Sequence, residues 1–331
     1  MNLLLALPLA LGLGGQTAAE TPGAEPHEAR RLVGVMGTEL EIKAIGGDAA
    51  AMEKAVDAAV EEMRRVEDLM TDWRPSPLTE LNEAAGEGPV EVPEELARLI
   101  ARAVEIGKVT EGAFDVTYAA VGELWDFKSD PPVVPSAERI AAALERVDSS
   151  RVRVNLKNRT VDLPAGMRIG LGGIAKGYGV DRAMAVLREH GVENGIVNAG
   201  GDLKALGRKR DGKLWEIAVK HPRNRELVLA AVPLSNKCVM TSGDYERFFE
   251  HEGTRYHHIL DPRTGYPSTG CMSATVFGPD AALTDSLATA MCVLGPERGL
   301  AVVDGLKGID AILVGMDGEV RVSRGLQVSD D

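Results

Sequence analysis

Apolar residues recur at intervals of three and four between Met52 and Met70, where Met52, Val56, Val60, Met63, Val66 and Met70 make one stripe. That spacing predicts an amphipathic helix. Pro75 and Pro77 stop it, because proline cannot continue the helical hydrogen-bond ladder. Further helices are predicted over 94–109 and 137–147. The stretch Arg31–Ile45 reads as a strand. Alternating segments with Val152 and Val154 on one side and Val161 and Leu163 on the other predict a hairpin turning at 155–160. A helix over 176–190 follows a glycine-rich turn, and 195–198 is a short strand. From 214 to 277 the pattern is mainly strand and turn, with reversals at Gly253 and Gly265. Helices over 279–293 and 296–306 and a hairpin at Asp317-Gly318 complete the pattern. Strand runs interrupted by groups of helices predict an α+β layered fold rather than strict βαβ alternation.

The first residues, MNLLLALPLALGLGG, are an apolar run of signal-peptide length, followed by the small residues Thr17-Ala18-Ala19. A signal peptide over 1–19, cleaved after Ala19, is expected, although no Lys or Arg precedes the run; it is too short to span a membrane as a helix. No cysteine lies there to carry a lipid. Residues 20–30 read as a polar linker and 31–331 as the folded domain.

Hydrophobic residues are 44% of the 331 and charged residues 26%, as in a soluble globular enzyme. Aromatic residues are only 4%, so aliphatic side chains and Met must fill the core. The net charge of −13 argues against non-specific nucleic-acid binding and against an anionic membrane surface. It leaves open a phosphorylated small molecule held by backbone N–H groups and a divalent cation. Cys238, Cys271 and Cys292 have no zinc-type spacing and allow one disulfide at most; they read as small buried hydrophobes.

Three segments carry candidate chemistry. Gly170-Leu-Gly-Gly-Ile-Ala175 matches G-x-G-x-x-A and opens a helix, a superficial dinucleotide fingerprint. The segment before it is broken by Pro164 and Gly166, which counts against a nicotinamide oxidoreductase. What survives is the general property: glycines let the backbone approach a phosphate, the helix N-terminus favours anions, and Lys176 adds a cation. A purely structural strand-to-helix turn is the plain alternative. Asp285 and Thr289 are four apart on a helix, so their oxygens share a face and suit a hard cation such as Mg²⁺; complementing the helix dipole is the commoner fate of such an Asp. His257 and His258 alternate faces, so one of them can face a cleft. A histidine whose tautomer is held by Asp261 would serve as a general base.

Taken in order, MGTEL (36–40), MTDWRPSPLTELN (70–82), GAFDVT (112–117), LGGIAKGYGVDRA (171–183), VNAGGDLKALG (197–207), TSGDYERFF (241–249), HHILDPRTGYP (257–267) and TDSLATA (284–290) resemble the ApbE family of FAD:protein FMN transferases. The resemblance runs from about residue 32 to the C-terminus. It implies a compact α+β fold with FAD in a cleft. It also implies Mg²⁺-dependent cleavage of the FAD pyrophosphate, with FMN joined through a phosphoester to a Thr or Ser hydroxyl of a target flavoprotein and AMP released. By position, Met36, Trp73, Ala113, Phe114, Asp115, Lys176 and Ile259 would contact the nucleotide, and Gly170 stands where many relatives have a contacting Asp. Asp285, Thr289 and the backbone carbonyl of Gly173 would hold the metal, and His258 would be the base. Ala288 replaces a second Asp found in some relatives. The implied acceptor is a subunit of a membrane redox pump, flavinylated outside the cytoplasm. That matches export to the periplasm or the outer membrane face, with no stable membrane span in the mature chain. An FAD pyrophosphatase and a non-catalytic FAD-binding protein are the competing readings.

Overall fold

Eight strands pair antiparallel in chain order, and the helices are insertions between sheet neighbours. The computed structural model describes Leu3–Ala6 and residues 26–329. The strands are β1 (His27–Val35), β2 (Thr38–Gly46), β3 (Asn194–Ala199), β4 (Asp202–Leu206), β5 (Cys238–Gly243), β6 (Cys271–Gly278), β7 (Asp310–Gly315) and β8 (Val320–Val322). Helices α1 (Ala49–Met70), α2 (Glu94–Val109) and α3 (Ala175–Glu189) are inserted between β2 and β3. Helix α4 (Ala281–Asp304) is inserted between β6 and β7.

The apolar stripe of α1 is buried along its whole length. Its first turn is capped by Asp48, whose side chain accepts from the Ala51 N–H at 3.1 Å. This stripe packs with α3, α4 and one face of the sheet in a single core. The opposite face is covered by a hairpin, Trp215–Lys220 with Val228–Leu234. Trp215, Val219, Val232 and Leu234 meet Ile196, Val239, Phe277 and Ile312 across that second layer. The backbone of Leu3–Ala6 and of Gln327–Ser329 extends the hairpin into a four-stranded sheet. The layers are therefore helix, sheet and small sheet, an α+β arrangement as expected.

Several expected boundaries change. Arg31–Ile45 is two strands, β1 and β2, reversed at Met36 and Gly37 with φ of 52° and 70°. Residues 27–30, assigned to a linker, are already in β1. The helix expected over 137–147 ends at Leu144. The two expected C-terminal helices form as the two parts of α4, separated at Gly295, φ 77° and ψ 174°, just before Pro296. The hairpin around 155–160 and the strand at 195–198 form where expected. All three cysteines are free and buried. Helix α4 has the length and apolar composition of a membrane span, yet it packs against β5, β6, β7 and α3. The expected cleavage point after Ala19 lies outside the described residues.

Candidate active site

The turn between β3 and β4, the N-terminus of α3 and one side of α4 meet at a cavity of about 910 Å³. Two strand residues two apart, hence on one face of β4, fix α3 beside it. Asp202 forms an ion pair with Lys176, and Lys204 Nζ meets Asp181 Oδ1 at 2.5 Å. Asp181 also accepts from the first-turn N–H groups of α4 at Ala281 and Ala282, 2.8 and 3.1 Å away. A strand, a helix and the start of a second helix are thus tied by two carboxylates and two ammonium groups. This frame sets where Asp285 stands.

Asp285 is buried, and its Oδ2 accepts the Gly177 N–H at 2.9 Å. Burial, then the nearby Asp202 carboxylate, push the Asp285 carboxyl up to about 7; Lys176 and the Gly177 N–H act in the opposite direction. Burial works to lower the Lys176 pKa, but Asp202 and Asp285 outweigh it and hold the ammonium charged. Thr289, one turn beyond Asp285, has its hydroxyl 3.3 Å from Ser242 Oγ. A Cβ on Gly173 would stand 3.2 Å from that same hydroxyl, so the glycine loop, α4 and the end of β5 converge there. The local side-chain donors are the Asp285 carboxyl group and the Thr289 and Ser242 hydroxyls, all hard oxygens. Among the described residues no group of three or more His, Cys, Asp or Glu side chains is placed to hold a metal. The set fits Mg²⁺ completed by water and phosphate oxygens and does not fit zinc.

The two histidines divide as their alternation requires. His257 Nε2–H donates to the Ser268 carbonyl at 2.8 Å, and its Nδ1 accepts from the Ile259 N–H at 3.3 Å. His258 lines the cavity. Its Nδ1 is enclosed without a hydrogen-bond partner. Burial first, then His257 and Arg247, hold His258 down at about 4, so the imidazole is neutral at ordinary pH. Asp261 does not hold its tautomer. Both Asp261 oxygens turn to Arg263, at 2.8 and 2.7 Å, because the reversal at Thr264-Gly265 folds that arginine back onto them.

The ApbE family model matches residues 36–313. The chain belongs to the ApbE family. It is 37% identical over 267 residues to the FAD:protein FMN transferase of Treponema pallidum (strain Nichols), covering 76% of this chain and 74% of that protein. With the FAD:protein FMN transferase of Vibrio cholerae (strain O395) it shares 34% over 313 residues, covering 92% and 90%. Among solved structures, the ApbE protein of Thermotoga maritima superposes with a TM-score of 0.82 at 36% identity, covering 90% of this chain and 97% of that one. The flavin transferase ApbE of Vibrio cholerae gives 0.80 at 30%, covering 91% and 98%.

In this ApbE-family chain Met36, Trp73, Ala113, Phe114, Asp115, Lys176 and Ile259 line the cavity together with Gly173, His258, Asp285 and Thr289. Trp73 is 63% exposed, free to stack on a planar ligand. Asp115 is also a structural cap, accepting from the N–H groups of Thr117 and Ser149 at 2.7 and 2.9 Å. Gly170 is the exception. It is buried behind the cavity wall, its N–H donates to the Val116 carbonyl at 2.8 Å, and Tyr118 and Ala119 stand between it and the open space. Asp202, Ser242 and Tyr118 were not singled out from the sequence. The only signals were that Asp202 follows the turn-forming pair Gly200-Gly201 and that Ser242 ends a strand before Gly243.

Proposed function

We propose that this chain transfers the FMN moiety of FAD to a Thr or Ser hydroxyl of an acceptor flavoprotein, with Mg²⁺, and releases AMP. The observation that carries this reading is His258, a neutral imidazole lining a cavity that also holds the Asp285–Thr289–Ser242 oxygen set. Similarity to two FAD:protein FMN transferases supports it.

His258 takes the acceptor hydroxyl's proton at Nε2 as the oxygen bonds to the flavin-side phosphorus. The phosphorus–oxygen bond to the adenylate phosphate breaks, and AMP leaves in line. The Lys176 ammonium at the N-terminal end of α3 holds the pyrophosphate, with the positive end of the helix dipole behind it; Asp202 keeps that ammonium in place. Asp285, Thr289 and the Gly173 carbonyl would hold Mg²⁺, with Ser242 beside them, and the ion when bound would neutralise charge on the pyrophosphate and on the departing AMP. Trp73 and Met36 orient the flavin in the cavity.

The same reading makes the acceptor a subunit of a membrane redox pump and the site of action outside the cytoplasm. The apolar run and Ala18-Ala19 support export. Incubation of the purified protein with FAD, Mg²⁺ and an acceptor domain tests the reading. Fluorescent flavin on the acceptor in a denaturing gel is expected. AMP without labelled protein would make the enzyme a pyrophosphatase, and intact bound FAD would remove both activities. Mass spectrometry of the protein from fractionated cells tests export through a new N-terminus at residue 20.

A further inference from the structure

The Tyr118 side chain is seated on the glycine loop. A Cβ on Gly170 would meet its Cε1 at 3.1 Å and its Cζ at 3.3 Å, and would meet the Ala119 Cβ at 3.1 Å. A Cβ on Gly172 would lie 3.3 Å from the phenol oxygen, and one on Gly122 would lie 3.4 Å from the ring's other edge. The ring is thus held in a slot whose three sides are glycines, and the side chain fills the volume that any residue larger than glycine at 170 would need. Its backbone is fixed too: Tyr118 ends a short 3-10 turn capped by Asp115, and its N–H donates to the Asp115 carbonyl at 3.2 Å. Tyr118 lines the cavity, yet among the described residues no group hydrogen-bonds to its hydroxyl.

Resting on the FAD reading above, we propose that Tyr118 is a nucleotide-binding residue, its phenol O–H donating to an oxygen of FAD that lies along the glycine loop, and that Gly170 is glycine in order to seat it. A phenol fits this use because its ring packs on backbone while its hydroxyl stays polar at the cavity wall. Burial, with Asp72 adding and Arg247 opposing, pushes its pKa up to about 12, which keeps it a donor over the whole working range. A hydroxyl left without a protein partner beside a binding cavity is one that a ligand oxygen can satisfy. The inference gives Gly170 an indirect part in binding: it shapes the residue that makes the contact.

The test is equilibrium FAD binding to the full chain, followed by flavin fluorescence in EDTA with no acceptor. Tyr118→Phe keeps the ring and removes one neutral hydrogen bond, so the FAD Kd is expected to rise about three- to tenfold with the thermal midpoint unchanged. Gly170→Ala is expected to weaken FAD in the Tyr118 background, because the new Cβ displaces the ring. It is expected to have a smaller effect in a Tyr118→Ala background, where only the Ala119 Cβ still meets the new methyl. An unaltered Kd for Tyr118→Phe would overturn the assignment even if transfer proceeds. A wild-type chain that fails to bind FAD would instead remove the functional reading itself.

Discussion

Gly177 and Asp285 join two helices through one backbone hydrogen bond, the Gly177 N–H donating to Asp285 Oδ2 at 2.9 Å. The approach is possible only because residue 177 has no side chain. A Cβ there would stand 2.2 Å from the Ala281 carbonyl oxygen and 2.8 Å from the Asp285 Cβ. In an ordinary helix Gly→Ala gains about 1 kcal/mol of propensity. Here the neighbour is backbone and cannot yield cheaply, so overpacking of about 1–3 kcal/mol or more decides the sign. Gly177→Ala is expected to lower the urea midpoint and weaken Mg²⁺ binding together, since α4 must move away. A midpoint that rises would show that α3 and α4 are not this close.

His257 acts through the turn it closes. Its ring bridges the Ile259 N–H and the Ser268 carbonyl, clamping the two ends of the turn that directly follows His258. His257→Phe leaves two enclosed backbone groups unpaired, each costing about 1–3 kcal/mol. The expected result is a lower thermal midpoint and a slower transfer step with FAD still bound. His257→Asn keeps an acceptor near Ile259 and should recover part of the rate. Equal rates for the Phe and Asn variants, with stability lost in both, would reduce His257 to a packing residue.

Much of the site was legible because its signals are local. The Met52–Met70 stripe predicted α1 almost to the residue, since a helix buries one face of its own sequence. Asp285 and Thr289 share a face by helical period, and His257 and His258 part by strand alternation; both relations hold in the fold. What was missed depends on pairings between distant segments. Asp202 reaches Lys176 only because β4 lies under α3, and Ser242 reaches Thr289 only because β5 runs beside α4. Gly170 read as a ligand-facing position because nothing nearby in sequence reveals the ring of Tyr118 on top of it. The turn at Met36-Gly37 lacks the usual Asn-Gly or Asp-Gly pair, so β1 and β2 read as one strand.

His258 should be visible in the pH profile. Its folded pKa of about 4 lies below the ordinary value near 6.5, so the imidazole is neutral and able to accept a proton everywhere above about pH 4. Single-turnover transfer at saturating Mg²⁺ is therefore expected to fall only as pH approaches 4. The same depression makes the unfolded chain take up a proton that the folded chain refuses, so stability declines as pH falls from about 6.5 toward 4. His258→Ala is expected to slow transfer about 10²–10⁴-fold while FAD remains bound. Transfer at the wild-type rate in that variant would assign the proton to another group.

Asp285 supplies the opposite sign. Its folded pKa of about 7 lies above the ordinary carboxyl value near 3.8, so without metal the folded state holds a proton that the unfolded state gives up. The penalty is absent below about pH 4, grows as pH rises, and is complete above about 7, on the order of 2–4 kcal/mol. Asp285→Asn removes it. In EDTA at pH 8 that variant is expected to melt above the wild type, an unusual outcome for a change at a proposed metal ligand. Mg²⁺ competes for the same oxygens and must displace the proton, so wild-type affinity should weaken about tenfold per pH unit below 7. Titration of the thermal midpoint with Mg²⁺ at pH 6, 7 and 8 checks both statements. An Asn variant that melts lower at pH 8, or one that Mg²⁺ still stabilises as strongly as the wild type, would move the metal site away from α4.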